Sequence, residues 1–240
     1  MLFRRTRSGP GASAQRKARE IRAAERRAQH RRALWAVPLL SVAAVGAGYA
    51  ARNVGHRFAV ALGIALALGG MHRLYRNGGS TWARGAAGER ATARILAPLT
   101  WAGGIAVLHD RAIPRSKANL DHLIIGNRGM IYCDSKAWKW KATVRAGQLY
   151  SGAHNQSEKL RTVKWEARQA SQALGYPVRP IIAVHGAPVP DGIVEVDGVL
   201  VIEAARLRGY LRSLPRVPGW TRADTAAERR RAERILPPAV

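Results

Sequence analysis

The stretch NLDHLIIGNRGMIYCDSKAWKWK, Asn119 to Lys141, decides the fold. It predicts two strands joined by a tight turn. Leu120–Ile125 is apolar except for Asp121 and His122, and Met130–Cys133 is apolar and runs into Asp134-Ser135-Lys136. Between them Gly126-Asn127-Arg128-Gly129 supplies turn chemistry, with Asn and Gly able to take positive φ. Residues two apart on a strand share a face, so Asp134 and Lys136 project together. Asp121 on the partner strand is expected beside them, and His122 on the opposite face. Two carboxylates and a lysine at one end of an apolar hairpin suit a divalent cation and an activated water.

Outward from the hairpin, the order of elements predicts an α/β domain with a mixed sheet flanked by helices. A helix is expected from Ser80 or Thr81 to about Ala97, ahead of Pro98. Its spacing puts Gly85, Ala86, Glu89, Thr92, Ala93 and Leu96 on one face, so Glu89 sits on the side that packs inward. Gly104–His109 reads as the first strand and Trp140–Arg145 as a strand after the hairpin. Asn155-x-x-Glu158 has the form of a capping box opening a helix to Leu174, with Gly175 as its stop. Val178–Val184 is a buried strand, and Ile193–Val201 holds short strands about Asp197-Gly198. Glu203–Leu211 is a short helix. Thr225-x-x-Glu228 is expected to cap a last basic helix that ends before Pro237.

The domain boundaries follow from composition: a basic arm over 1–32, an apolar region over 33–76, the globular domain over 77–214, and a linker with a basic helix over 215–240. The arm carries eleven Arg or Lys against two Glu and lacks an apolar stripe, so it does not belong to a core. Residues 33–51 are nineteen without a charge, a run of roughly 28 Å as a helix, with Trp35 and Tyr49 near its ends. A second run, extended to 58–74 by snorkelling flanks, completes a transmembrane hairpin. The alternatives are one span followed by a half-inserted helix, or a signal peptide. The long basic region and the length of the run argue against the latter. Arginines outside both runs and only Arg52 and Arg57 between them place both termini, and the globular domain, in the cytoplasm. The expected location is the cell membrane, crossed more than once.

With 40 Lys+Arg against 15 Asp+Glu, the 240-residue chain has a formal net charge of +25, which favours polyanions, either nucleic acid or anionic lipid. One cysteine, Cys133, excludes an internal disulfide and a multi-cysteine zinc site. No Gly-rich phosphate loop or Ser-His-Asp set stands out, and His109, His154 and His185 have no ligand spacing. No protein partner is identifiable.

Gly85-Ala-Ala-Gly88-Glu89, Val107-Leu-His-Asp110, Asn119-Leu-Asp121-His122-Leu and Gly129-Met-Ile-Tyr-Cys-Asp134-Ser-Lys136 together resemble the nuclease-related domain, or NERD, family. The resemblance is good from Gly85 to Leu174 and weaker beyond. It implies a restriction-endonuclease-like fold of the PD-(D/E)xK superfamily, with Mg2+ (or Mn2+) as cofactor and a nucleic acid, DNA before RNA, as substrate. On that pattern Glu89 is the helical carboxylate, Asp121 the principal metal ligand, Asp134 the second ligand and Lys136 the catalytic lysine, with the Ser135 carbonyl also facing the metal. The chain departs from the pattern after Lys136, where the family commonly has a glycine and this sequence has Ala-Trp-Lys-Trp-Lys141.

That departure is itself suggestive. Trp138, Lys139, Trp140 and Lys141 alternate aromatic and basic side chains, a pattern for phosphate contact with base stacking. In an extended chain Trp138 and Trp140 would share the face of Asp134 and Lys136. The bland reading is packing for the tryptophans and solvation for the lysines. Arg161, Lys164 and Arg168 share a face of the later helix and are further candidates for nucleic-acid contact, a solvated face being their alternative. The sequence thus predicts a membrane-anchored metal-dependent nuclease. The alternatives are a membrane-tethered nucleic-acid-binding or scaffold protein with a silent nuclease fold, and a membrane protein whose basic tails bind anionic lipid.

Overall fold

The computed structural model describes residues 80–101 and 104–239, together with isolated positions before residue 80. The expected basic arm and transmembrane runs lie outside the stretches described continuously. No helix among the described residues is long and apolar enough to cross a membrane. A compact unit takes in Arg84–Val240, and Arg16–Ala83 belongs to a second unit.

The unit takes in helix α1 (Ser80–Thr100) from Arg84 onward, followed by strand β1 (Ile105–Ala112). Next come β2 (Asn119–Gly126) and β3 (Gly129–Ala137), the hairpin expected from the sequence. A small separate sheet follows, built from β4 (Ala142–Arg145), β5 (Gln148–Ser151) and β6 (His154–Asn155). The chain then forms α2 (Ser157–Leu174), β7 (Val178–His185), β8 (Ile193–Val196), β9 (Val199–Glu203), α3 (Ala204–Ser213) and α4 (Arg222–Ile235). The main sheet has six strands in the order β1-β2-β3-β7-β9-β8. It is mixed: β1, β2 and β3 are antiparallel, β7 runs parallel to both β3 and β9, and β8 is antiparallel to β9.

Strand alternation divides the core in two. Leu123, Ile125, Met130, Tyr132, Ile182 and Val184 face one side, with Leu160, Val163, Ala167 and Ala170 of α2 and Ala232 of α4. Ile124, Ile131, Cys133, Ile181, Ala183 and Ile202 face the other, with Leu96 and Leu99 of α1 and Leu207 and Leu211 of α3. Helices therefore cover both faces of the sheet, as the mixed α/β reading requires.

Local chemistry moves several expected boundaries. Helix α1 continues through Pro98, which lies in its final turn. The hairpin turn puts its positive φ at Gly129 (92°), and not at Asn127. The strand expected over Trp140–Arg145 starts at Ala142 and leaves the main sheet for the small one, because residues 138–141 bend away. Asn155 accepts from the Ser157 amide, but the N-cap of α2 is Gln156, so the expected capping box is not made. Gly175 does stop this helix in the left-handed region, its amide donating to Ser171.

The C-terminal segment differs most. Its helix is capped by Thr221 with Asp224 in a reciprocal box, one turn before the expected Thr225, which is buried. Ala232 and Leu236 are fully buried in the core beneath α2. The buried Arg111 guanidinium donates to the carbonyls of Leu236 (2.7 Å) and Glu233 (3.0 Å). The chain end then lies against β1, with Ala112 N–H on Pro237 and Ala239 N–H on the Asp110 carbonyl. Residues 215–240 thus complete the same unit and do not hang from it as a tail.

Candidate active site

The site lies where β2 parts from β3. Pairing between them ends at His122 opposite Cys133, whereas β3 continues beside β7 as far as Ala137 opposite His185. On the other side of β2 the ladder with β1 is interrupted at Asp110 and Asp121 with no change of register between His109–His122 and Arg111–Leu120, and Asp110 adopts φ 51°. The freed strand end leaves Asp121 to use its side chain in place of a ladder bond: its Oδ2 accepts from the Ser135 amide at 2.9 Å.

Asp121, Asp134 and Lys136 emerge on the α2 side of the sheet, as the alternation predicts. Lys136 Nζ donates to Asp134 Oδ1 at 2.7 Å, and Tyr132 Oη approaches the same oxygen at 3.4 Å. Glu89 enters from α1. At Gly88 the helix faces Ala137 and His185, with a Cβ there falling at ordinary contact distance, 3.7 Å from each. Ala86, Glu89, Thr92, Ala93 and Leu96 are all buried, the face anticipated from spacing.

Each acid feels the others. Burial, then the charges of Asp110 and Asp134, push Glu89 up to about 7, against the pull of Lys136 and Arg90. Burial, with Asp134 and Glu89 nearby, holds Asp121 well above the usual carboxylate range despite Lys136 and the Ser135 amide. Burial opposes the charge on Lys136, but Asp134 and Asp121 outweigh it and keep the ammonium protonated above the ordinary lysine range. Lysine here is a fixed positive charge, suited to neutralising an anion and not to removing a proton.

Two buried oxygens, Glu89 Oε2 and Asp134 Oδ2, have no hydrogen-bond partner. Orphaned carboxylate oxygens in an acid cluster are what a hard cation satisfies. The donor set fits such an ion, with water completing its shell. Among the described residues no three His, Cys, Asp or Glu side chains are already drawn together around one point.

Sequence reasoning missed Glu166 and the role of Tyr132. Glu166 is a buried residue of α2, and its Oε2 accepts from Tyr132 Oη at 2.8 Å. Burial raises it to about 7, with Asp134 adding to the effect while the Tyr132 bond and Lys136 oppose it. The signal was in the spacing: Leu160, Val163, Ala167, Ala170 and Leu174 mark the inward stripe, and Glu166 falls inside it. The histidines were also underread. On the α1 side, His109 Nδ1 and His122 Nδ1 lie 2.7 Å apart, and Thr92 Oγ1 bridges His185 Nε2 (2.7 Å) to Ser135 Oγ (2.8 Å). Burial holds all three imidazoles below their ordinary value. The Thr92 bridge ties α1 to β3 one helical turn from Glu89.

The residues expected to contact nucleic acid sit in different local settings. Trp138 is half-buried against the α2-side core, and its N–H donates to His185 O. Trp140 is half exposed, lies over Gly152 and carries the Lys139 ammonium 4.9 Å above its ring. Trp138 keeps to the α2 side, the face of Asp134, whereas the bend at 138–141 carries Trp140 away from it. Lys141 is exposed. Lys164 is held by Asp197 at 2.7 Å, whereas Arg161 and Arg168 are exposed on the outer face of α2.

A mixed sheet carrying three acids and a lysine at a strand fork defines a nuclease-like α/β domain. Residues 84–186, from within α1 to the end of β7, match the family model of the nuclease-related domain, NERD. No curated protein and no solved structure matched the chain.

Proposed function

We propose that the protein is a membrane-anchored nuclease that hydrolyses phosphodiester bonds of nucleic acid, DNA before RNA, with Mg2+ or Mn2+. The observation that carries this reading is the neighbourhood of Glu89, Asp121, Asp134 and Lys136, near enough to feel one another's charge, with two buried carboxylate oxygens, Glu89 Oε2 and Asp134 Oδ2, unpartnered. Asp121, Asp134 and Glu89, with the Ser135 carbonyl, would hold the cation. The ion would lower the pKa of a bound water and draw charge from the scissile phosphate. Lys136 contributes a permanent positive charge for the developing negative charge on phosphorus-bound oxygens. Arg161 and Arg168, with Lys139 and Lys141 beside Trp138, offer phosphate contacts along the approach.

The apolar runs at 33–51 and 58–74 support anchoring in the cell membrane, with anionic headgroups against the arm at 1–32 and the domain on the cytoplasmic side. The test is cleavage by the full chain. Metal-dependent cutting that is lost in Asp134→Ala and Lys136→Ala supports the reading. Equal cutting by all three proteins refutes it. Cleavage of the domain by a protease added outside intact cells would refute the cytoplasmic placement.

One observation favours a second reading, a tethered nucleic-acid-binding protein with a silent site. The acids are not already gathered around a point, and Lys136 occupies one oxygen of Asp134. That protein would bind DNA with strong salt dependence and leave it intact in Mg2+.

A further inference from the structure

At the end of the sheet away from the acids, a cavity of about 390 Å³ opens beside the β2–β3 turn. Four arginines from separate segments line it: Arg128 of the turn, Arg212 of α3, Arg216 of the following loop and Arg222 at the start of α4. Leu99 and Trp220 supply an apolar and aromatic wall. No acidic residue lines the cavity. Among the described residues none of the four guanidinium groups is in an ion pair, although Arg206, Arg229 and Arg231 each find a glutamate elsewhere. The capping box of Thr221 and Asp224 occupies the start of α4, so the arginines, and not free helix amides, make the cavity positive.

We propose that this cavity is a binding site for a phosphate group. Four uncompensated guanidinium groups repel one another at close quarters, and an oxyanion with several acceptor oxygens relieves that repulsion. Guanidinium forks match phosphate oxygens two at a time, and each such bond is charge-assisted. The wall of Leu99 and Trp220 gives a nucleoside attached to that phosphate an apolar surface. Arg128 lies six positions before Asp134, roughly 20 Å at the rise of a strand, so the pocket is not part of the acidic site. The phosphate has two sources, a free nucleotide or a nucleic-acid strand.

The experiment is calorimetric titration of the full chain with inorganic pyrophosphate, in EDTA at physiological salt. We expect one saturable site per chain, weakened at least tenfold when Arg128, Arg212, Arg216 and Arg222 are all changed to alanine. A control changes the exposed Arg208, Arg230 and Arg234 to alanine and leaves the affinity within twofold. Absence of saturable binding, an unchanged pocket variant, or equal weakening by the control overturns the proposal. Circular dichroism and thermal melting of each variant confirm folding. Competition separates the sources: displacement by adenosine monophosphate assigns a free nucleotide, and displacement by a DNA oligonucleotide alone assigns strand phosphates. Asp134→Ala binds pyrophosphate like the wild type, so the pocket and the nuclease reading fail independently.

Discussion

The Ser135 amide donates to Asp121 Oδ2 at 2.9 Å, where a ladder bond to the β2 backbone would otherwise continue. This bond fixes the fork between the strands. It leaves Asp121 with one oxygen committed to the fold and the other free to act. Asn in its place keeps the acceptor and loses the charge. Asp121→Asn should therefore fold with stability within about 1 kcal/mol of the wild type, whereas metal-dependent cleavage falls by roughly 100-fold or more, as for loss of a major electrostatic contribution. Urea titration and a cleavage assay read the two separately. An active Asp121→Asn protein would remove Asp121 from the site.

Glu89 and Glu166, each raised from an ordinary 4.5 to about 7, make stability depend on pH. Between those values the unfolded chain has lost protons that the folded chain retains, so each carboxyl makes stability fall as pH rises from 4.5 to 7. The upper size is roughly 3 kcal/mol for each. The buried histidines His109, His122 and His185 act oppositely below their ordinary 6.5, because the folded state disfavours their charged form. The informative quantity is the difference between wild type and Glu89→Gln/Glu166→Gln. In EDTA the variant should gain on the wild type across that window. Parallel stability curves would contradict the assignment.

Tyr132 is fully buried and has one proton to give, which it gives to Glu166. Tyr132→Phe leaves that carboxyl buried without its donor and should destabilise by about 1–3 kcal/mol. Glu166→Gln keeps an acceptor for the tyrosine and should cost less. With the hydroxyl gone, the second contact to Asp134 Oδ1 is lost, but Lys136 remains on that oxygen. Equal stability of Tyr132→Phe and wild type would show the bond to be incidental.

The sheet and the first half of the site were legible because both follow from strand periodicity. Asp134 and Lys136 share a face by alternation, and Glu89 falls on the inward stripe of α1. Glu166 and Tyr132 were not legible as partners because their contact spans 34 positions and depends on how α2 docks on β3. The placement of Trp140 was not legible for a local reason: the chain bends after Trp138, and alternation carries no information beyond a bend. The role of Arg111 was hidden because its acceptors are backbone carbonyls more than a hundred positions away, which no side-chain pattern announces.

Gly126 tests how tightly β2 packs at its turn end. A Cβ there would sit 2.5 Å from the Gly104 carbonyl oxygen and 3.0 Å from the Ile105 Cα, and both are backbone atoms that cannot rotate aside. Gly126→Ala should therefore separate β1 from β2 and destabilise by about 2–3 kcal/mol, in the range of overpacked cores. The contrast is Gly198→Ala, where nothing lies within 4 Å and the cost is confined to the positive φ of 71°. Thermal melts that rank the two equally would show that β1 yields at no cost.

Removal of residues 215–240 should do more than shorten the chain. The cut takes away Ala232 and Leu236, both fully buried, and leaves the Arg111 guanidinium without the carbonyls of Glu233 and Leu236. A guanidinium that loses two carbonyl acceptors loses charge-assisted hydrogen bonds, each contributing about 1.5–3 kcal/mol at most. Lost burial of Leu236 adds roughly 2 kcal/mol. Against a typical domain stability of about 5–15 kcal/mol, the truncated domain should melt well below the full chain, with a broadened transition. A truncated domain as stable as the full chain would show that the C-terminal helix is a separable appendage.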